Sequence, residues 1–225
     1  MELVLLRHAQ PAWNRDERAQ VDPELTALGH EQARLAAARL IEEPFDRVLV
    51  STAVRAGQTA APLLAARPDL VTERRDWMHE IRMPVSWQGS PSEEIGRVLR
   101  EARVRPRAQW WDGLPGGESF ADFHARVTRG LEQELEGVGV TAAADRLWRV
   151  PDTAPRLLLI AHAGTNSVVL GSLLGLEPEP WEWERFASAH ASLTVLRSVS
   201  IAGGHIFSLQ RFSDVEHLGD RQVTR

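Results

Sequence analysis

Apolar residues gather in short runs and helical stripes along the chain. Leu3-Val4-Leu5-Leu6 is an unbroken apolar run opening at Glu2 and closing at Arg7, which predicts a strand buried on both faces. Val48-Leu49-Val50 and Leu157 to Ala161 have the same character, and a weaker strand is predicted around Leu70 to Glu73. Helical spacing runs through Thr26 to Glu43, where Pro44 stops it, through Ala53 to Ala66, and through Thr165 to Leu174. Leu193 to Val199 and His205 to Phe212, joined at Ala202-Gly203-Gly204, predict a hairpin. Strands that alternate with helices predict an α/β fold, with a mainly parallel sheet covered on both faces. Two stretches break the rhythm. Residues 82–117, rich in Pro, Gly, Arg and Trp, predict a small cap over one end of the sheet, and 139–156 reads as irregular.

Ligands bind beyond the carboxyl ends of the strands in such a sheet. Arg7-His8-Ala9 follow the first strand, Ser51 and then Arg55 follow the second, and His162-Ala163-Gly164 follow the fourth. Two His and two Arg at one end of a sheet predict a pocket for a dianion, because the Arg forks can hold phosphoryl oxygens bidentately. The N–H groups of the helix that begins there add the positive end of its dipole. One of the two His is predicted to be a nucleophile that takes up the phosphoryl group. Protonation of the leaving alcohol needs an acid, and the candidate is Glu80, in the stretch Trp77-Met78-His79-Glu80-Ile81. An apolar setting is expected for it.

Composition narrows the chemistry. The chain has 225 residues and no Cys, which excludes disulfides, thiol catalysis and Cys-bound metals. All 26 basic residues are Arg, so Schiff bases and lysine clamps are excluded too. Neither a metal nor another cofactor is expected. A net charge of −5 argues against nucleic acid, and no apolar run is long enough for a membrane span. The expected partner is a small phosphorylated substrate, the expected address the cytoplasm. The Arg cluster at 97, 100, 103, 105 and 107 fits either recruitment of an anion or a solvated helix face, the latter favoured by i,i+4 Glu–Arg spacing. Trp87, Trp110, Trp111, Trp181 and Trp183 fit a substrate pocket, packing of the cap or a homodimer contact.

The motifs and their order resemble the histidine phosphatase superfamily, in its phosphoglycerate-mutase-like branch. R-H-G-x-T-x-x-N is matched by Arg7 to Asn14, with Ala9 for Gly and Pro11 for Thr. D-x-x-L-T-x-x-G-x-x-Q-A is Asp22 to Ala33, and S-x-x-x-R-A-x-Q-T-A is Ser51 to Ala60. P-x-G-E-S is Pro115 to Ser119, with Arg126-Val127 on the helix after it, and H-x-G is His162 to Gly164. N-x-S-x-T is His190 to Thr194, with His for Asn. The resemblance implies one domain over 1–225, built as a three-layer α/β/α sandwich on a mixed six-stranded sheet. It implies His8 as the phospho-accepting nucleophile, with His162 beside it and Glu80 as proton donor. Arg7, Asn14, Arg55 and Ala163 are the expected phosphate contacts. The implied reaction is metal-independent hydrolysis of a phosphomonoester. The alternatives are a phosphoglycerate mutase and a phospho-ligand binder without turnover. A mutase must grip an acidic sugar, and with no Lys and no Tyr that grip would fall to Arg103, Arg105 or Arg107.

Overall fold

The buried runs are central strands. In the computed structural model, which describes residues 1–225, these are β1 (Glu2–Arg7), β4 (Arg47–Ser51) and β8 (Arg156–Ala161), with β5 (Thr72–Arg75) beside them. Their side chains alternate between two apolar clusters. Leu3, Leu5, Leu49, Leu157 and Leu159 face one, while Val4, Leu6, Val48, Val50 and Leu158 face the other. Helices α1 (Ala27–Leu40) and α2 (Val54–Ala66) close the second cluster with Ala33, Ala36, Leu40, Ala56, Ala60 and Leu63. Helices α4 (Phe120–Glu136) and α5 (Ala163–Leu173) close the first with Phe123, Val127, Leu131, Val168 and Val169. Burial on both faces explains why these strands lack polar alternation, and the result is the expected three-layer sandwich.

The sheet has eight strands, not six, in the order β5-β4-β8-β1-β9-β10-β7-β6. The first four are parallel. The predicted hairpin, β9 (Leu193–Ile201) and β10 (Gly204–Asp214), continues the sheet antiparallel, with β9 paired to β1. Its turn, Ala202-Gly203, has φ +49° and +76°, the geometry of a tight hairpin. The two additional strands come from the stretch read as irregular: β6 (Thr141–Ala142) and β7 (Trp148–Arg149) join the edge of β10. Two-residue strands have no periodicity to detect. The chain turns to opposite faces after β1 and after β8, which are neighbours. Their carboxyl ends form the switch point where such sheets bind ligands.

Residues 82–117 fold as a turn of 3-10 helix (Val85–Trp87), α3 (Ser92–Arg103) and a second 3-10 segment (Arg107–Asp112). They dock on a small hairpin of the loop after β1, formed by β2 (Asn14–Arg15) and β3 (Arg18–Ala19). The Ala19 N–H donates to Ser90 O and the Ser92 N–H to Glu17 O, both at 2.9 Å. Four of the five Arg residues of the cap cluster are engaged within the protein. Arg97 pairs with Glu101 at i,i+4 and Arg103 with Glu184 of α6 (Glu182–Arg185). Arg107 pairs with Glu179, and Arg105 donates to Gly113 O at 2.8 Å. Trp181 and Trp183 pack on Phe120, so these two serve the fold.

Candidate active site

His8 follows the last residue of β1, and its N–H still pairs with Ala161 O of β8 at 2.8 Å. Its ring Nδ1 lies 2.8 Å from Ala9 O. A carbonyl only accepts, so Nδ1 carries the proton and Nε2 keeps its lone pair. Burial, helped by the nearby charges of Arg55 and Arg7, holds this imidazole well below its usual pKa. At neutral pH the ring is therefore an uncharged nucleophile. The Ala9 N–H donates to Thr59 Oγ at 3.0 Å, and Gln10 N–H to Gln32 Oε1 at 2.8 Å. Ala9 is absent from the residues with positive φ, so a Cβ there brings no left-handed strain. Gly29 is needed, because a Cβ on it would lie 2.2 Å from Gln10 O.

His162 is fully buried, with its ring centroid 5.1 Å from that of His8. Its Nε2 lies 2.7 Å from Ser51 Oγ, which also accepts the Ala53 N–H. Ser51 Oγ and Nε2 thus share one hydrogen bond, while Nδ1 has no partner in the protein. Arg55 is 2% exposed, pinned by Asp22 at 3.2 Å, and its Nε is also unpartnered. Arg7 donates through Nη1 to Ser188 O and through Nη2 to His190 Nε2 at 3.0 Å; its Nε is unpartnered as well. Burial lowers its pKa to about 10, still fully charged at pH 7. Buried donors with no acceptor in the chain suit a ligand that only accepts, and a phosphoryl dianion is such a ligand.

Glu80 occupies a different setting from the apolar one expected. Its carboxylate sits on the start of α5, where Oε2 accepts the Gly164 N–H at 2.9 Å and Oε1 the Thr165 N–H at 3.2 Å. The N–H groups expected to serve phosphate beyond Gly164 therefore serve the acid. Gly164 is the residue that permits this: a Cβ there would lie 2.4 Å from Glu80 Oε1. The Glu80 loop is clamped from behind. Arg126 donates to Trp77 O and His79 O at 2.8 and 2.9 Å, and Glu118 holds Arg126 through two bonds of 2.8 and 2.7 Å. That is the work of Glu118 in P-x-G-E-S.

The structure thus gathers Arg7, His8, Arg55, Glu80 and His162. The Ala163 N–H lies at the same helix start. No bond ties Asn14 to this cluster: its Oδ1 accepts from Ser92 Oγ of the cap. Several supporting residues escaped the sequence reading as to role. Thr59, Asp22, Gln32, Glu118 and Arg126 stood there only as motif letters, and Ser51 only as a residue at the end of a strand. His190 proves to be the partner of Arg7. Its Nδ1 pairs with Thr224 Oγ at 2.9 Å, which leaves Nε2 to accept from Arg7. Burial drops its pKa to about 3, so it stays an acceptor. His190→Ala should lower kcat/KM for p-nitrophenyl phosphate by about 10- to 100-fold, the worth of one bond to a charged group. His190→Asn, which still offers an acceptor, should recover most of it.

The buried imidazoles make the fold acid-sensitive. His8, His162 and His190 all have lowered pKa values, so the unfolded chain binds more protons once the pH falls below about 6.5. Stability is complete above that pH and declines beneath it. Buried Glu182, raised to about 7, works in the opposite direction between its unfolded value and 7. Several buried rings lose stability on acidification while one carboxyl gains, so stability should fall from pH 6.5 to 5. Urea unfolding at the two pH values measures it; equal stabilities would contradict charge-free burial of these rings.

The comparison with known proteins agrees with this geometry. The model of the histidine phosphatase superfamily, branch 1, matches residues 3–206. The chain belongs to the histidine phosphatase superfamily. Glucosyl-3-phosphoglycerate phosphatase of Mycobacterium tuberculosis is 33% identical over 184 residues, 80% of this chain and 78% of that protein. A probable phosphoglycerate mutase of Yersinia enterocolitica is 29% identical over 181 residues, 79% of this chain and 77% of that one. The solved structure of a mycobacterial glucosyl-3-phosphoglycerate phosphatase with VO3 superposes with a TM-score of 0.70 at 28% identity, covering 95% of this chain and 99% of that one. By membership and likeness the protein is an enzyme that hydrolyses phosphoric monoesters. No helix is long and apolar enough to cross a membrane.

Proposed function

We propose that this protein is a metal-independent phosphomonoesterase that works through a phosphohistidine on His8. The observation that carries it is the neutral His8, with Nδ1 committed to Ala9 O, set among buried Arg7, Arg55 and His162, each with a nitrogen that has no partner in the protein. His8 Nε2 attacks phosphorus in line as the leaving oxygen departs. Arg7, Arg55 and His162 neutralise the charge spread over the equatorial oxygens, the part a metal ion plays elsewhere. The Ala163 N–H adds to them at the helix start. Glu80 protonates the leaving oxygen, then takes a proton from the water that hydrolyses the phosphohistidine. Asn14 acts at the rim, towards the leaving group. All of this lies in one domain spanning 1–225, with 82–117 as its cap, and the enzyme works in the cytoplasm.

Water is the acceptor in this reading. The cap Arg residues considered for a mutase grip are engaged with Glu184, Glu179 and Gly113 O. The test is incubation with 3-phosphoglycerate and a trace of 2,3-bisphosphoglycerate, in excess EDTA. Phosphate release should outpace formation of 2-phosphoglycerate, and EDTA should leave the rate unchanged. Interconversion much faster than release would make the protein a mutase. Loss of rate restored by a divalent ion would overturn the metal-free mechanism.

A further inference from the structure

Two loops leave the site and close a cavity between them. One runs on from His8 and contributes Trp13 and Val21. The other runs on from Glu80 and contributes Met83, Trp87 and, from α3, Ile95 and Leu99. The space they enclose is about 350 Å³, within the range of small-molecule sites. Trp13 joins it to the phosphate clamp, since the guanidinium carbon of Arg55 lies 4.9 Å from its ring centroid. The same side chain therefore touches a phosphate-holding Arg and walls the cavity.

The chemistry of the wall is one-sided. No Arg, His, Asp or Glu lines it. Its polar side chains bond to protein: Ser92 Oγ donates to Asn14 Oδ1 at 2.5 Å, and Gln20 Oε1 accepts from Gln88 Nε2 at 2.9 Å. The backbone bonds between Ala19 and Ser90 and between Glu17 and Ser92 hold the two walls together, so the cavity is a built feature of the fold. A carboxylate or a sugar ring moved into it would shed water and find few free partners. An alkyl or aryl group would gain by leaving water.

We infer that this cavity receives the leaving-group half of the substrate and selects phosphomonoesters whose alcohol is apolar, aliphatic or aromatic. The inference rests on the phosphatase reading above and sets this chain apart from a relative named for a glucosylated phosphoglycerate. Recognition is divided: the Arg7, Arg55 and His162 cluster takes the phosphoryl group, and the Trp13–Leu99 cavity takes the carbon skeleton.

The test uses binding, which needs no turnover. Calorimetric titration of the enzyme with n-alkylphosphonates from methyl to octyl should show affinity rising about three- to fourfold per methylene, the transfer free energy of one buried CH₂, until the cavity is filled. 2-Carboxyethylphosphonate should bind no better than methylphosphonate. Leu99→Asp should flatten the series, and the milder Ile95→Thr should reduce its slope. A flat series on the wild-type enzyme, or tighter binding of the carboxyethyl compound than of propylphosphonate, would overturn the proposal. Kinetics separate the two readings. A rising affinity series without hydrolysis of hexyl phosphate would leave the cavity assigned and the phosphatase reading refuted. Hydrolysis of glycerol 3-phosphate with kcat/KM at or above that of hexyl phosphate would do the reverse.

Discussion

Replacing His8 with Ala should abolish turnover while leaving the anion site in place. Removal of an enzyme's nucleophile costs roughly 10⁶ in kcat, and no second group is set to replace this one. His162 has its Nε2 hydrogen-bonded to Ser51, so that nitrogen is not free to attack. The His8 ring makes one hydrogen bond, to its own neighbour's carbonyl, so its loss leaves the surrounding bonds intact. Arg7, Arg55 and His162 remain. The variant should therefore still bind inorganic phosphate or vanadate in a calorimetric titration, with kinetics at background. Retention of more than a thousandth of wild-type activity would remove His8 from the nucleophile's role.

The second large effect is expected at Glu80, and its size should depend on the leaving group. Glu80→Gln removes the proton donor, a loss of about 10²- to 10⁴-fold for alkyl phosphates, whose leaving oxygens need protonation. p-Nitrophenyl phosphate, with its stable phenolate, should slow far less. The structure adds a complication with a measurable signature. Both oxygens of Glu80 accept backbone N–H groups, Gly164 on one side and Thr165 and Ile81 on the other. An amide offers one acceptor and one donor, so a Gln leaves one side facing N–H with N–H. About 1–3 kcal/mol of stability should go with it, read as a lower midpoint in urea. Glu118→Ala, which releases Arg126 from behind the loop, should imitate the leaving-group dependence without removing the acid. Equal slowing of alkyl and aryl substrates in Glu80→Gln would point to another donor.

The parts of this molecule that can be read from its sequence are those governed by local or alternating burial. β1 and β8 announce themselves because Leu3 to Leu6 and Leu157 to Ile160 feed both apolar clusters. The rule that ligands gather at carboxyl ends then brings Arg7, His8, Arg55 and His162 together before any contact is known. What stays hidden depends on long-range pairing. β6 and β7 are too short to carry a pattern. Glu80 is placed by Gly164 and Thr165, some 84 residues on. His190 meets Arg7 across 183 residues, and nothing near either position signals the bond. The cap Arg residues show the limit of charge counting. Arg103 and Arg107 form a basic cluster along the chain, yet in space each faces a Glu from beyond position 178. Asn14, six residues from His8, accepts from Ser92 of the cap, a bond across 78 residues that nothing nearby signals.

The central claim is that the phosphoryl group rests on His8 before water takes it, and trapping the intermediate tests it most directly. The enzyme is mixed with a ³²P-labelled phosphomonoester, quenched within milliseconds in alkali, where phosphohistidine survives, and digested for mass spectrometry. One phosphoryl group per chain should be found on Nε2 of His8, absent after an acid quench and absent in His8→Ala. Label on His162, or turnover with no trapped intermediate at any time point, would contradict the account.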